Sequence, residues 1–247
     1  MKKVKSSFLI VLLLVVLSLA LYIVQLYVFQ SPRDTFFYVL QDIAFLPLQI
    51  ALVTVILGRY LKNREKNEKL KKINMVINAF FSEAGTDVLK KLTEFSKNFG
   101  DVRPYLDVQL DWSEKDFSKT IRYLAKVDLH IECKPDGLTS LKELLRNMRD
   151  FLIRMLENPN LLEHDTFTDM LLAVFHITEE LMARDEFQDE NDMDMAHLSV
   201  DIQRALRTLL IQWISFMKHL RSEYPYLYSL EVRRNPFFKN NSITINK

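Results

Sequence analysis

The sequence predicts an all-α protein in two parts, an N-terminal transmembrane helical hairpin followed by a cytoplasmic helical bundle. Three observations lead there. The 247 residues include only four glycines and seven prolines, too few turn-formers for many short strands, so long helices with short connections are expected. Two uncharged or nearly uncharged apolar runs stand within the first sixty residues, each long enough to cross a bilayer. Beyond residue 72 apolar residues recur every three or four positions, the period of an amphipathic helix. Lys and Arg (33) nearly balance Asp and Glu (32), so no basic excess marks a nucleic-acid partner. The lone cysteine, Cys133, cannot close an internal disulfide or form a Cys-x-x-Cys metal pair, and a reducing compartment fits.

Taken in order, residues 8–29 form 22 consecutive positions without a charge, about 33 Å of helix against a hydrocarbon core of about 30 Å. The leading "MKKVK" resembles the start of a signal peptide, but the apolar run is too long and "QSPRD" offers no small-x-small cleavage site, so a retained anchor is expected. The second span is residues 36–57. Ser31 suits an N-cap, Pro32 the first helical position and Asp34 the first turn. Lys2, Lys3 and Lys5 precede the first span. After the second, "GRYLKNREKNEKLKK" carries seven basic residues against two acidic ones. The positive-inside rule therefore predicts a multi-pass plasma-membrane protein with both termini cytoplasmic.

Polar residues inside the spans need partners. Asp42 and Gln49 point within about 20° of each other at 100° per residue, and Ser18, Tyr22 and Gln25 form a comparable stripe. Facing lipid, such groups cost several kcal/mol each, whereas facing a neighbouring helix they can be hydrogen-bonded. Gln41 lies beside Asp42, and Pro47 frees one backbone carbonyl that a neighbour must satisfy. The expected role of these residues is packing, within the hairpin or in a homo-oligomer formed through the spans. The alternative is an oligomeric transport or ion-responsive subunit using Asp42. Arg59, Lys62, Arg64, Lys66, Lys69, Lys71 and Lys72 occupy a basic juxtamembrane helix, residues 59–72, where they meet lipid headgroups and set topology.

The cytoplasmic helical domain is expected over 73–236, with a polar tail at 237–247. Ile73, Val76, Ile77, Phe80 and Phe81 share a helical face, with Gly85 as a stop and Thr86 as a new cap. A short helix continues to Phe95–Phe99. Residues 101–112 and 127–133 alternate polar and apolar; extended coil is expected there ahead of a two-stranded ribbon, because an isolated pair of strands is marginal. Ser113 and Asp116 have capping-box spacing before Phe117, Ile121 and Leu124. Three stronger helices follow. Leu141, Leu144, Leu145, Met148, Leu152, Met155 and Leu156 form one face, and Thr166 with Asp169 as a capping box opens a second helix carrying Phe167, Met170, Leu171, Val174, Ile177, Thr178, Leu181 and Met182. The longest has Leu198, Ile202, Leu206, Leu209, Trp213, Phe216 and Leu220 on its core side and ends at Pro225.

Few residues invite chemistry. No Gly-rich phosphate loop, Gly-x-Ser-x-Gly elbow or Cys/His dyad at a recognisable spacing is present, so no catalytic residue and no cofactor is assigned. His176 with Glu180, and His197 with Asp201, are i, i+4 pairs of the kind that hold a metal on one helix. His176 points about 180° and His197 about 140° from its apolar stripe, so solvated histidines are expected. Glu163 and His164, in the connection between two helices, can line a cleft and are further metal-ligand candidates, although a loop cap or an interhelical hydrogen bond is the expected use. The leading expectation is a non-enzymatic scaffold or signalling module that binds a cytoplasmic protein. A membrane-tethered metalloenzyme is the third alternative.

The runs "LENPNLLEHDTFTDMLLAVFHITEEL" and "HLRSEYPYLYSL", with the later "NPF", resemble segments of an uncharacterised family of prokaryotic two-span membrane proteins with a cytoplasmic helical domain. The resemblance implies a prokaryotic membrane setting and no known activity.

Overall fold

The computed structural model describes residues 2–159, 161, 165–187 and 191–238, with side chains placed except at 2–11, 29, 66, 67 and 69–71. It is all-α, about 81% helical, with no strand among the described residues. The chain divides into two units, Met1–Lys66 and Asn67–Lys247.

In the first unit α1 (Lys2–Phe29) and the start of α2 (Pro32–Phe80) are separated by Gln30 and Ser31 alone. Gln30 takes a positive φ of 47°, the left-handed conformation that lets so short a connection reverse the chain. The helix start forms as expected: the Ser31 hydroxyl donates to the Asp34 carboxylate at 2.6 Å, and the Thr35 amide donates to the Ser31 carbonyl at 3.2 Å. Pro47 lies inside α2 without ending it. Among the described residues one helical stretch, Pro32–Glu65, is long and apolar enough to cross a membrane, with 34 residues, a mean hydropathy of 1.9 and none of its apolar window buried; Leu12–Val28 is a shorter apolar stretch.

The second unit is built around α8 (Asp192–Glu223), whose apolar residues come every third or fourth position. Leu198, Ile202, Leu206, Leu209, Trp213, Phe216 and Leu220 are all buried, as their spacing predicts. Five elements surround this core: α3 (Thr86–Thr93), α5 (Glu114–Leu124), α6 (Pro135–Leu156), α7 (Asp165–Met182) and α9 (Pro225–Arg233). Of these, α7, α5, α9 and α3 pack on α8, and α6 packs on α7. A single turn, α4 (Phe99–Val102), and the 3-10 turn Arg103–Leu106 join α3 to α5. The Ser113–Asp116 capping box forms, with the Ser113 amide donating to the Asp116 carboxylate at 2.7 Å.

Several boundaries differ from the sequence expectation. Gly85 and Thr86 do not stop a helix: α2 passes through a π-helical turn, Phe81–Gly85, directly into α3, and the Thr86 hydroxyl donates to the Phe81 carbonyl at 2.7 Å. The widened turn lets Phe80 and Phe81 both face inward, Phe80 edge-on to Phe167 at 5.5 Å and Phe81 stacked on Phe216 at 5.1 Å. The next helix ends at Thr93, short of Phe95–Phe99, where the Thr93 hydroxyl takes the Lys90 carbonyl. Residues 101–112 and 127–133 form no ribbon, as expected, but 101–106 are helical turns where extended coil is expected. The segment 127–133 runs beside 95–98 through one bridge, Ser96–Ile131, and the Asn98 side chain bonds the backbone at Asp128 and His130. Pro135 starts α6 six residues before Leu141, the first residue of the expected face, which brings Leu138 into the core. The second strong helix begins at Asp165, placing Thr166 inside its first turn and not at the cap. Phe237, assigned to the polar tail, is buried.

Candidate metal centre

The two histidine–carboxylate pairs converge. His176 and Glu180 lie one turn apart on α7, and His197 and Asp201 one turn apart on α8. The helices run antiparallel through the connection 183–191, so residues equally distant from that connection meet. His176 is six residues before the end of α7 and His197 five residues after the start of α8. Each Nε2 lies 3.3 Å from Asp201 Oδ2, and the ligating atoms of His176, His197 and Asp201 all fall within 4.8 Å of one another.

Burial divides the cluster. The imidazoles are about half exposed, at 46% and 52%, as their positions on the helical wheel predict, but Asp201 is only 3% exposed. The Arg204 guanidinium approaches Asp201 Oδ1 at 3.5 Å. Oδ2 is buried and accepts no hydrogen bond, so both neighbouring imidazole nitrogens are close without aligning an N–H on it. A buried carboxylate oxygen in that state is costly unless a cation meets it. Glu180 Oε1 lies 3.9 Å from His176 Nε2, while its other oxygen takes Arg184 at 2.7 Å. The hydrogen bond from Arg184 holds the Glu180 carboxyl below the usual range, helped by the charges of Arg184, His176 and His197. Arg184 also pairs with Asp194 in the first turn of α8 at 2.8 Å, and the hydrogen bond to Asp194 is the main reason its own pKa is raised. Asn191 caps α8 by accepting from the Asp194 amide at 2.8 Å. Arg184 thus links the last turn of α7 to the first turn of α8 beside the cluster.

The remaining candidates are placed differently. Glu163 and His164 lie outside the described residues. Tyr22 and Asp42 meet, the Tyr22 hydroxyl donating to Asp42 Oδ2 at 2.7 Å. Gln25 is half-buried, whereas Ser18, Gln41, Pro47 and Gln49 are exposed, with Gln41 and Asp42 bounding a shallow groove with Ala44 and Phe45. Arg59, Lys62, Arg64 and Lys72 are exposed on α2; Lys66, Lys69 and Lys71 lie on the same helix, their side chains outside the description. Burial pushes the Cys133 thiol up, against use as a nucleophile. An open cleft of about 250 Å³ between Phe95–Lys97 and Glu132–Gly137 gathers no comparable set of ligating groups.

Reasoning along each helix paired Asp201 with His197 but set the pair aside as solvent-facing, whereas Asp201 is buried. The wheel placed His197 correctly, and the missing information was that the neighbouring helix supplies the second imidazole over Asp201. The nearly equal distances from the connection, six residues and five, carried that signal.

No solved structure matches the chain. Residues 2–61 match the family model described as the N-terminal helical domain of MJ1433, and residues 69–233 match that of the C-terminal helical domain of uncharacterized protein MJ1433. The chain is 39% identical over 232 residues to "Uncharacterized protein MJ1433" of Methanocaldococcus jannaschii, covering 94% of this chain and 93% of that protein. The chain therefore belongs to the MJ1433 family of uncharacterised proteins with N- and C-terminal helical domains.

Proposed function

We propose that the chain is a membrane-anchored, non-enzymatic scaffold or signalling module, with a hairpin of two spans at 8–29 and 36–57 and a helical domain that binds a protein partner in the cytoplasm. The observation that carries this reading is the apolar stretch of α2, which has no protein cover: Phe45, Val53 and Leu57 are 51%, 59% and 51% exposed. An apolar surface of that length needs lipid or another protein against it. The basic run from Arg59 to Lys72 follows directly, as expected for a segment at anionic headgroups. A carboxyl-terminal reporter fusion expressed in a prokaryotic host tests the arrangement. Carbonate-resistant membrane attachment with an internal reporter is expected; release by carbonate, or a reporter labelled from outside, overturns it. Cross-linking in native membranes then reads the partner.

The transport alternative gains less support. The Tyr22 hydroxyl occupies an oxygen of Asp42, which favours a packing role through the hairpin or a homo-oligomer. Ion flux in liposomes that is lost in Asp42→Asn would reverse that preference.

A further inference from the structure

We infer that His176, His197 and Asp201 bind one divalent transition-metal ion of the zinc class between α7 and α8. This inference does not depend on the membrane reading, because all three residues lie in the second unit. Four observations carry it.

The first is the donor set. Two imidazoles and one carboxylate suit zinc and its first-row neighbours, whereas magnesium and calcium prefer oxygen alone. The second is spacing. Zinc bonds to nitrogen and carboxylate oxygen are about 2.0–2.2 Å long, which puts ligand atoms of a tetrahedral site about 3.3–3.5 Å apart. The two nitrogen–oxygen separations here are 3.3 Å, and all three ligand atoms lie within 4.8 Å of one another, so rotation of the half-exposed imidazoles closes the set on one ion. The third is the unsatisfied oxygen. Asp201 is 97% buried by the 3% exposure of its side chain, and Oδ2 has no hydrogen-bond donor. A cation held by both imidazoles satisfies it, and neutral imidazoles then act as ligands without needing an N–H aimed at the carboxylate. The fourth is the surrounding frame. Arg184 ties Glu180 to Asp194, fixing the last turn of α7 against the first turn of α8 beside the ligands, as outer-shell partners do in metal sites.

Three protein ligands with imidazoles open to solvent leave a coordination position for water or a small ligand, unlike the closed four-ligand arrangement of purely structural zinc sites. Glu180 is one turn from His176 and is held back by Arg184, so it stands beside the ion as a neighbouring charge. The ion bridges α7 and α8, adding a bond between two helices that already pack on each other.

The test uses the full chain in detergent, stripped with chelator and titrated with Zn²⁺ alone, then with Co²⁺. One equivalent of Zn²⁺ per chain is expected, with the visible absorption of a low-symmetry Co²⁺ site. At a hundredfold excess over Kd, Tm is expected to rise by roughly 5–10 °C. Asp201→Asn and His197→Gln should each weaken binding by at least about 100-fold, beyond the loss typical of an outer-shell partner. His130→Gln, an exposed histidine elsewhere, should leave binding unchanged. His197 is half exposed, so that variant reads binding even if Asp201→Asn does not fold. Absence of stoichiometric metal, or equal losses in His130→Gln and His197→Gln, would overturn the inference and leave the cluster as an ion-paired lock between helices.

Discussion

Trp213 and Phe237 meet edge to face, their ring centroids 5.0 Å apart and their planes at 88°. The contact lies beyond the last helix, yet it is anchored on both sides. The Asn235 amide donates to the Leu106 carbonyl at 2.8 Å, and the Phe237 amide donates back to Asn235 Oδ1 at 3.1 Å. Phe99 also reaches the Phe237 ring at 5.6 Å. Residues 235–238 therefore form a seam that closes the core over α4 and α8. Phe237→Ala should cost about 3–5 kcal/mol, the usual range for deleting a buried aromatic ring, read as a lower midpoint in urea. A chain ending at Pro236 should be less stable than one ending at Phe238 by a similar amount.

Gly85 should tolerate no side chain. Its φ of −60° is ordinary, so the reason is space. A Cβ there would lie 2.8 Å from Phe80 Cδ1 and 2.9 Å from Phe81 Cδ1. Both rings are packed in the core, so neither can move away cheaply. Gly85→Ala should destabilise by about 1–3 kcal/mol, as overpacking does, measured by thermal or urea unfolding. Gly100→Ala, which meets nothing within 4 Å, should be neutral or slightly stabilising, because alanine loses less backbone entropy in a helical turn.

These two sites mark what was legible in the sequence. The inner face of α8 was readable because one long helix repeats a single period, and every residue assigned to that face is buried. The capping box at Ser113 and Asp116 was readable because its chemistry is local. Gly85 was misread because glycine near a threonine is the usual sign of a helix end, whereas here the absent Cβ serves two aromatic rings supplied by tertiary packing. Phe237 was misread because composition marks the surrounding tail as polar, and its partner lies 24 positions away on α8. The metal cluster was half legible: each histidine–carboxylate pair is a local spacing, but their meeting depends on the register of α7 against α8.

Tyr22 and Asp42 should be coupled. The hydroxyl donates to the carboxylate at 2.7 Å across the two helices of the first unit, and the acceptor has few polar neighbours in an apolar segment. Tyr22→Phe should make the first unit of the full chain more susceptible to SDS and to protease at the Gln30–Ser31 connection. Asp42→Asn retains an acceptor oxygen and should perturb it less. The double variant Tyr22→Phe, Asp42→Leu should be less impaired than the sum of its parts, since removing both polar groups leaves neither unpaired.

Glu231 should make stability fall as pH rises. Burial pushes its carboxyl above the ordinary value of 4.5, and the charge of Arg234 offsets this only in part; the two side chains are 3.8 Å apart. Glu83, Asp87 and Lys90 line the same cleft of about 270 Å³ beside the π-helical turn. Between the ordinary value and the raised one, the folded chain holds a proton that the unfolded chain has released. Unfolding then liberates that proton, so stability declines with pH across this window and stays lower above it. Glu231→Gln removes the titration while keeping shape and hydrogen-bonding capacity. Its Tm should exceed that of the unsubstituted chain at pH 7 and match it at pH 4, where both side chains are neutral. An equal gain at both values would mean that the carboxylate is not the cause, and that the effect of the substitution lies in its contacts with Arg234.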